Sequence, residues 1–325
     1  MPTQRETNPF AFTDSNKRYY TYDYYLRRTF GGKCAKIPLD IGCTCPNIDG
    51  SRGYGGCIYC SSRGSGDFAA APTLSIAEQY EKGREMMAKK WDVSRTIPYF
   101  QAHTNTYAPA EVLREKFYAA LALDGVVGMN IATRADCLSP EVLALLAELA
   151  EQTVLTVELG LQSTSDKTAA IINRCHTYAE FVDGYNSLRT ASPKIQICVH
   201  LINGLVGENF SDMERSAREV AALRPDQVKL HLLHVLRGTR LASLYERGEY
   251  TPLTLDEYAG IVARQLTLFS PETVIGRITG DGAAADLIAP LWSLGKTNVI
   301  NTIDKLLYAE NLWQGKQYAV ENCAK

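Results

Sequence analysis

Four of the nine cysteines of this 325-residue chain stand close together, as Cys43, Cys45, Cys57 and Cys60. The first pair lies in Gly-Cys43-Thr-Cys45-Pro-Asn-Ile-Asp-Gly and the second, after a Gly-rich loop, in Gly-Gly-Cys57-Ile-Tyr59-Cys60. Two residues separate Cys57 from Cys60, so one tight turn can present both thiolates to a single metal centre, with Cys45 returning across an eleven-residue loop. That is too clustered for ordinary core cysteines. Four thiolates could close a tetrahedral structural zinc site, or three could hold a 4Fe-4S cluster with one iron left open. Cys43 and Cys45 stand at i and i+2 and face the same side of an extended segment, so periodicity alone does not choose between the two.

The elements that carry these residues alternate. A short apolar strand beginning at Lys36 runs into the cysteine loop. Helix 75–90 follows, with Ser75 as its N-cap and Ile76, Tyr80, Met86 and Met87 as apolar positions, then strand 97–101. Helix 110–123 carries Val112, Leu113, Phe117 and Leu121 on one stripe, and a strand over 126–132 comes next. Helix 139–151 opens with Ser139-Pro140, a cap followed by proline in the first turn, ahead of strand 154–161. Strand 195–202, helix 211–223 and a strand through Val228-Lys229-Leu-His231 bring the count to six strand–helix units. A chain of this pattern predicts a parallel α/β barrel, which places active-site loops directly after its strands, whereas structural zinc ribbons are usually small separate modules. The position of the cysteine loop therefore favours the three-thiolate reading.

Composition sets outer limits. With 46% hydrophobic residues the chain can bury one large core and requires no second. Nine cysteines, no N-terminal apolar run and no stretch able to span a bilayer predict a reduced, cytoplasmic protein without a membrane partner. A net charge of −2 gives no bulk attraction to nucleic acid, so any such contact must be local.

Cys45-Pro-Asn-Ile-Asp-Gly…Gly-Gly-Cys57-Ile-Tyr59-Cys60 resembles the signature of the radical S-adenosylmethionine (SAM) enzymes, in the widened-loop form of the bacterial YhcC/YtqA-type family. The resemblance covers nearly the whole chain after residue 17. It implies a partial (β/α)6 TIM-like barrel with an N-terminal arm and a C-terminal α/β extension, and a core like that of the Elongator catalytic subunit and of coproporphyrinogen dehydrogenase. It further implies a 4Fe-4S cluster on Cys45, Cys57 and Cys60 that binds SAM and, on one-electron reduction, cleaves it to methionine and a 5′-deoxyadenosyl radical. The subfamily commonly has a non-cysteine residue where Cys43 stands. Tyr59 fits an aromatic placed against adenine. By position, Gln101-Ala-His103-Thr-Asn105-Thr106 resembles the loop that holds the methionyl amine of SAM, with Asn105 and Thr106 supplying polar atoms. Related enzymes often carry a glutamate just before Thr133-Arg134, where this chain has Ala132. Gln162 and, twelve residues on, Arg174 match a glutamine and an Asn-Arg pair that hold the SAM ribose and carboxylate in coproporphyrinogen-dehydrogenase-like enzymes. The chemistry suits them, since a guanidinium fork binds a carboxylate bidentately and an amide both donates to and accepts from a ribose diol. His200-Leu-Ile202-Asn-Gly204-Leu-Val206-Gly207-Glu208 resembles the family's Gly-Leu-Pro-Gly-Glu turn with valine in place of proline, which makes His200 an adenine-edge contact and Ile202 a face contact. Lys229 and His231 share a face of their strand by the two-residue period. Together with His103, Arg134, Arg277 and Asp281 they are assigned to the substrate side.

Residues 17–36 differ from the polar stretch before them. Lys17, Arg18, Arg27, Arg28, Lys33 and Lys36 stand against Asp23 alone, interleaved with Tyr19, Tyr20, Tyr22, Tyr24, Tyr25 and Phe30. Such a segment can be a platform for single-stranded nucleic acid, or a short helix whose tyrosines cap the bottom of the barrel. The expected organisation is an extension over 1–35, a barrel over 36–236 and a C-terminal extension over 237–325 packed on it, with a helix near 239–247, another from Thr254, its cap, to Phe269, and an extended stretch over 273–278. The expected partners are an external electron donor of flavodoxin or ferredoxin type and a tRNA whose wobble uridine side chain is the substrate. The alternatives are a porphyrin-like or other small metabolite as substrate, and a zinc-stabilised, non-catalytic RNA-binding protein.

Overall fold

The central strands alternate, with apolar residues toward the helices and Asn130, Glu158, His200 and Lys229 on the other face. The computed structural model describes residues 9–64, 66–280, 282 and 284–318. Its strands are β1 (Ala35–Leu39), β2 (Thr96–Phe100), β3 (Gly128–Thr133), β4 (Val154–Gln162), β5 (Gln196–Asn203), β6 (Gln227–Leu232), β7 (Val235–Leu236), β8 (Val274–Arg277) and β9 (Leu287–Ala289). Seven of them, in the order β1-β2-β3-β4-β5-β6-β8, form one parallel sheet curled into a half-barrel, and β7 pairs antiparallel with β9. Strand order equal to chain order leaves each connection only a helical return over the same outer face.

Those returns are α2 (Ile76–Ala88), α3 (Ala110–Leu121), α4 (Pro140–Gln152), α6 (Tyr178–Ala191) and α7 (Phe210–Ala222), preceded by α1 (Tyr22–Phe30) and joined by the short α5 (Asp166–Ile171). The tail adds α8 (Arg240–Glu246), α9 (Leu255–Leu268) and α10 (Lys296–Ala309). The helix starts expected from sequence are caps. Ser75 accepts from the Glu78 N–H while Glu78 returns to the Ser75 backbone, Thr254 forms the same box with Glu257, and Ser139 precedes Pro140 in the first turn of α4. One core lies between the sheet and its helices, from Ile37, Phe100, Ile131, Val157 and Val199 on the strands to Phe117, Leu146, Phe181, Val220 and Leu266 on the helices.

The tail is more deeply involved than an extension laid on a six-unit barrel. Its four-residue strand β8 becomes the seventh strand of the sheet, with Gln227 opposite Val274 and Lys229 opposite Arg277. α9 packs on α7 and α10.

The basic, tyrosine-rich segment closes the opposite end of the barrel from the cysteine loop. Tyr25 and Leu26 of α1 are buried against Ile97 and Val274, at the starts of β2 and β8, and the Tyr25 hydroxyl donates to Gln196 at the start of β5 (2.7 Å). Thr21 bridges to Ile275 beside the open edge strand. Many of the cations are engaged within the fold: Arg27 with Asp14 and Asp23, Lys17 with Asp304, Arg18 stacked over Tyr308 and bonded to Asn311, and Lys36 with Glu158. Of the two uses read from this segment, the structure shows the cap on the barrel bottom. Among the described residues no helix is long and apolar enough to cross a membrane.

Candidate active site

The cysteine loop leaves β1 at Asp40, where the Gln79 side chain of α2 accepts from the Asp40 N–H (2.9 Å) and donates to its carbonyl (2.8 Å). A turn from the Cys45 carbonyl to the Ile48 N–H and another from Cys57 to Cys60 fold the loop back over the C-terminal ends of the strands. The segment after α5 stitches it down: Asn173 Nδ2 donates to the carbonyls of Tyr54 (3.0 Å) and Gly56 (2.7 Å), and Asn47 Nδ2 donates to the Asn173 carbonyl (3.0 Å) and to Cys57 Sγ (3.3 Å). Cys45, Cys57 and Cys60 then line one cavity of about 240 Å³. Cys43 does not line it; it packs against the main core, where burial pushes its thiol up to about 11.

The three thiols differ in their surroundings. The hydrogen bond from Cys60, then the Arg174 guanidinium, Asn47 and Tyr59, outweigh burial and hold the Cys57 thiol well below the ordinary cysteine range. The same hydrogen bond together with burial drives Cys60 upward. Burial raises Cys45, partly offset by its bond to Thr104 Oγ1 (2.8 Å). Arg174 is fully buried, with Nη1 3.9 Å from Cys57 Sγ, Nη2 on the Gly160 carbonyl (2.5 Å) and a buried Nε that has no hydrogen-bond partner. Three soft sulfur donors beside a buried cation with an unspent donor suit an anionic thiolate-bound cluster and a ligand with acceptor oxygens.

Gln162 ends β4 at a register irregularity, with φ at 79°, and lines the cavity. Gly160 leaves room for these two tips: a Cβ there would lie 2.8 Å from Gln162 Nε2 and 3.1 Å from Arg174 Nη2, so both side chains would have to shift. Tyr59, His103, His200, Ile202, Lys229, His231 and Arg277 also line the cavity. Arg134 lies on its wall but spends its donors behind it, on both Asp136 oxygens (2.8 Å each) and on the Arg174 carbonyl (2.9 Å). Asn105 and Thr106 are turned away from the cavity. Asn105 Nδ2 holds the Phe100 and Ala132 carbonyls, and Thr106 Oγ1 holds Thr133 and the Cys137 carbonyl. The hydroxyl that this loop presents to the cavity is that of Thr104. Asp281 lies outside the described residues.

The floor is organised around Glu158, which the sequence reading did not single out. This fully buried carboxylate takes Lys36 (3.2 Å) and Asn130 (2.7 Å) on Oε1, and Tyr99 (2.7 Å), His200 (2.9 Å) and Lys229 on Oε2. Burial alone would raise its pKa; Lys229, Lys36 and His200 overcome that and hold it well below the usual carboxylate range. Burial likewise lowers Lys229 to about 8, against the pull of Glu158, and lowers His200 to about 4. The signal in the sequence is a lone charge in the middle of each of three apolar strands: Lys36, Glu158 and Lys229.

The comparisons with known proteins agree with this geometry. A model of the radical SAM superfamily matches residues 50–220, and one of the radical SAM C-terminal domain matches 225–309. YtqA of Bacillus subtilis (strain 168) is 46% identical over 311 residues, 96% of each chain. YhcC of Escherichia coli (strain K12) is 33% identical over 283 residues, 87% of this chain and 90% of that one. Human Elongator complex protein 3 is 28% identical over 168 residues, half of this chain and 30% of the human one. Among solved structures, the Elp3 of Methanocaldococcus infernus superposes with a TM-score of 0.65 at 16% identity, over 86% of this chain and 64% of that one, a likeness of fold. The superfamily match over more than half the sequence and the full-length relatives show that this chain belongs to the radical SAM superfamily, whose enzymes use a 4Fe-4S cluster and SAM and need an electron donor.

Proposed function

We propose that Cys45, Cys57 and Cys60 hold the cluster, that Gln162 and Arg174 receive SAM beside it, and that the substrate sits over the Glu158 floor. The observation that carries this reading is the convergence of three loop thiols, a strand-end glutamine and a buried arginine on one cavity. When bound, the cluster and SAM would supply the radical chemistry that removes a hydrogen atom from the substrate. The chain's own residues align and enclose. Asn47 and Arg174 direct positive partial charge at Cys57, Arg134 and Asp136 fix the Arg174 backbone, and the cysteine loop covers the strand ends against water. A flavodoxin- or ferredoxin-type protein would deliver the electron. Anaerobically reconstituted protein is expected to be brown and to form 5′-deoxyadenosine from SAM and reductant. Cys45→Ala, Cys57→Ala and Cys60→Ala should each lose the cluster, and Cys43→Ala should keep it; a colourless protein without turnover overturns the reading.

As substrate we propose RNA, a tRNA wobble uridine altered at its 5-substituent. Support comes from the resemblance to a branch that includes tRNA-modifying members, from the kinship with Elongator complex protein 3, and from the exposed Ile48 and Phe68 that line the cavity from the cysteine loop and the residues after it. One observation favours a small metabolite instead: much of the basic, aromatic arm is engaged in capping the barrel bottom. Mass spectrometry of tRNA nucleosides from cells with and without the gene separates the two, and identical profiles would leave the small metabolite.

A further inference from the structure

Two of the three cavity thiols meet donors that come from different parts of the fold. Cys57 Sγ has the Asn47 amide (3.3 Å) and the Arg174 guanidinium (3.9 Å) beside it. Cys45 Sγ has the Thr104 hydroxyl at 2.8 Å. Thr104 is fully buried, and this contact is the one hydrogen bond that its side chain makes among the described residues. A buried hydroxyl without a partner is costly, so a threonine here, where valine would fill the same space, needs the sulfur.

The backbone aims that hydroxyl. His103, just before it, takes the left-handed conformation with φ at 53°. On the other side the Asn105 N–H reaches the Ala132 carbonyl (3.2 Å), and the Asn105 side chain holds the Phe100 and Ala132 carbonyls. The Tyr107 N–H closes a turn on the Thr104 carbonyl (3.0 Å), and Thr106 Oγ1 donates to the Cys137 carbonyl (2.6 Å). Of the consecutive Thr104, Asn105 and Thr106, two pin the turn and the first is left facing a sulfur.

Between a free thiol and a hydroxyl either atom can donate. A sulfur that ligates iron is a thiolate and carries no proton, so the hydroxyl must then be the donor. A hydrogen bond to an acceptor is stronger the more negative the acceptor is, and hydrogen bonds to the sulfurs are among the factors that set a cluster's potential. Uptake of one electron from the protein donor adds negative charge to the thiolates while the hydroxyl keeps its proton, so the bond favours the reduced state.

We infer that the Thr104 hydroxyl donates to the Cys45 thiolate and raises the reduction potential of the cluster held there, which makes Thr104 a positioning residue that acts through Cys45. The inference rests on the reading of Cys45 as a ligand. It is tested on anaerobically reconstituted protein without SAM, by a redox titration that follows the paramagnetic resonance of the reduced cluster. Thr104→Val keeps the shape and removes the donor, and its midpoint should fall by about 59 mV, equivalent to a tenfold less favourable one-electron reduction. Thr104→Ser keeps the hydroxyl and should stay near the wild type. A Thr104→Val midpoint equal to the wild type at equal iron content, or a Thr104→Ser midpoint that falls as far, overturns the inference. Loss of the cluster from Thr104→Val in a protein that melts like the wild type also overturns it, since the hydroxyl would then be a condition of ligation. Because a loop variant can misfold, the unaltered protein is also compared by resonance Raman in H2O and D2O. Exchange should shift an iron–thiolate stretching band, and bands indifferent to D2O would overturn the inference without any variant. Cys45→Ala tests the ligand reading separately: a cluster that survives it removes that reading, and an unmoved Thr104→Val midpoint with the cluster lost from Cys45→Ala removes this inference alone.

Discussion

Glu158 shows how one side chain can govern a site that no motif announces. It gathers five donors from five strands, β1, β2, β3, β5 and β6, and each would be left unbalanced without it. Glu158→Gln is expected to destabilise the fold by about 3–5 kcal/mol, because it strands the buried Lys229 ammonium beside the half-buried Lys36, whereas Glu158→Gln/Lys229→Met should recover much of the loss. Urea unfolding midpoints check this. The pH dependence has two signs. The folded pKa of Glu158 lies below its unfolded value, so its contribution is present above the ordinary carboxylate range and is lost only as pH falls through the depressed value. Lys229 is lowered to about 8, so over pH 8 to its ordinary range the unfolded chain binds the proton more tightly and this group favours folding increasingly as pH rises.

Arg174 and Gln162 were legible as a spaced pair, and both line the cavity, but their burdens differ. Arg174 also secures Gly160 and Cys57, so Arg174→Ala is expected to weaken SAM binding by about 1.5–3 kcal/mol and to perturb the cluster's visible absorption. Gln162→Ala should weaken SAM binding alone. Equilibrium SAM binding alongside absorbance separates them. The loop at 101–109 was read less well, because irregular backbone has no period to say which hydroxyl points inward. Thr104 does so, and Asn105 and Thr106 pin the turn. Glu158 was not singled out, and Lys36 and Lys229 were not tied to it, because alternation along one strand says which face a residue takes and nothing of what meets it from the neighbouring strands.

At the scale of elements, what was legible followed physical punctuation. Apolar runs located six of the seven sheet strands, and Ser75, Ser139 and Thr254 marked helix starts, since a capping side chain must stand where the first N–H groups lack partners. β8 was visible only as an extended stretch, because Val-Ile-Gly-Arg is too short to show a period and owes its pairing to β6. The closest packing between elements involves a glycine. Gly184 of α6 crosses the Thr133–Asp136 turn so tightly that a Cβ would lie 2.2 Å from the Ala135 carbonyl oxygen and 2.7 Å from its carbon. Backbone cannot step aside as a side-chain tip does. Gly184→Ala is therefore expected to cost about 1–3 kcal/mol despite the better helix propensity of alanine, and to lower SAM affinity by shifting the Arg134–Asp136 clamp behind Arg174. Thermal melting together with SAM titration checks this, and a stabilised variant would show that the two elements part easily.

Across the whole molecule, the two ends of the half-barrel divide the work. The bottom is closed by α1 and the residues before it, with Tyr19 and Tyr25 buried and Arg27 held between Asp14 and Asp23. The top carries the cavity. On its rim Phe68 is 43% exposed, and the exposed Arg63 and Arg237 flank the cavity-lining Gly64 and Leu236, with Arg63 also donating to the Ala69 carbonyl (2.7 Å). With a net charge of −2, any attraction must come from such a local group, and it must weaken as salt rises. If tRNA is the substrate, Arg63→Glu/Arg237→Glu is therefore expected to weaken tRNA binding and flatten its salt dependence. Arg27→Glu/Arg28→Glu, at the far end, should leave binding unchanged once its fold is verified by melting. Filter binding across a salt series measures both. A loss confined to the Arg27/Arg28 variant would return the RNA contact to the arm and show that the cap on the barrel bottom also serves as a surface. A flat response from both, with unchanged nucleosides in cells lacking the gene, would leave a small metabolite as the substrate of the Glu158 floor.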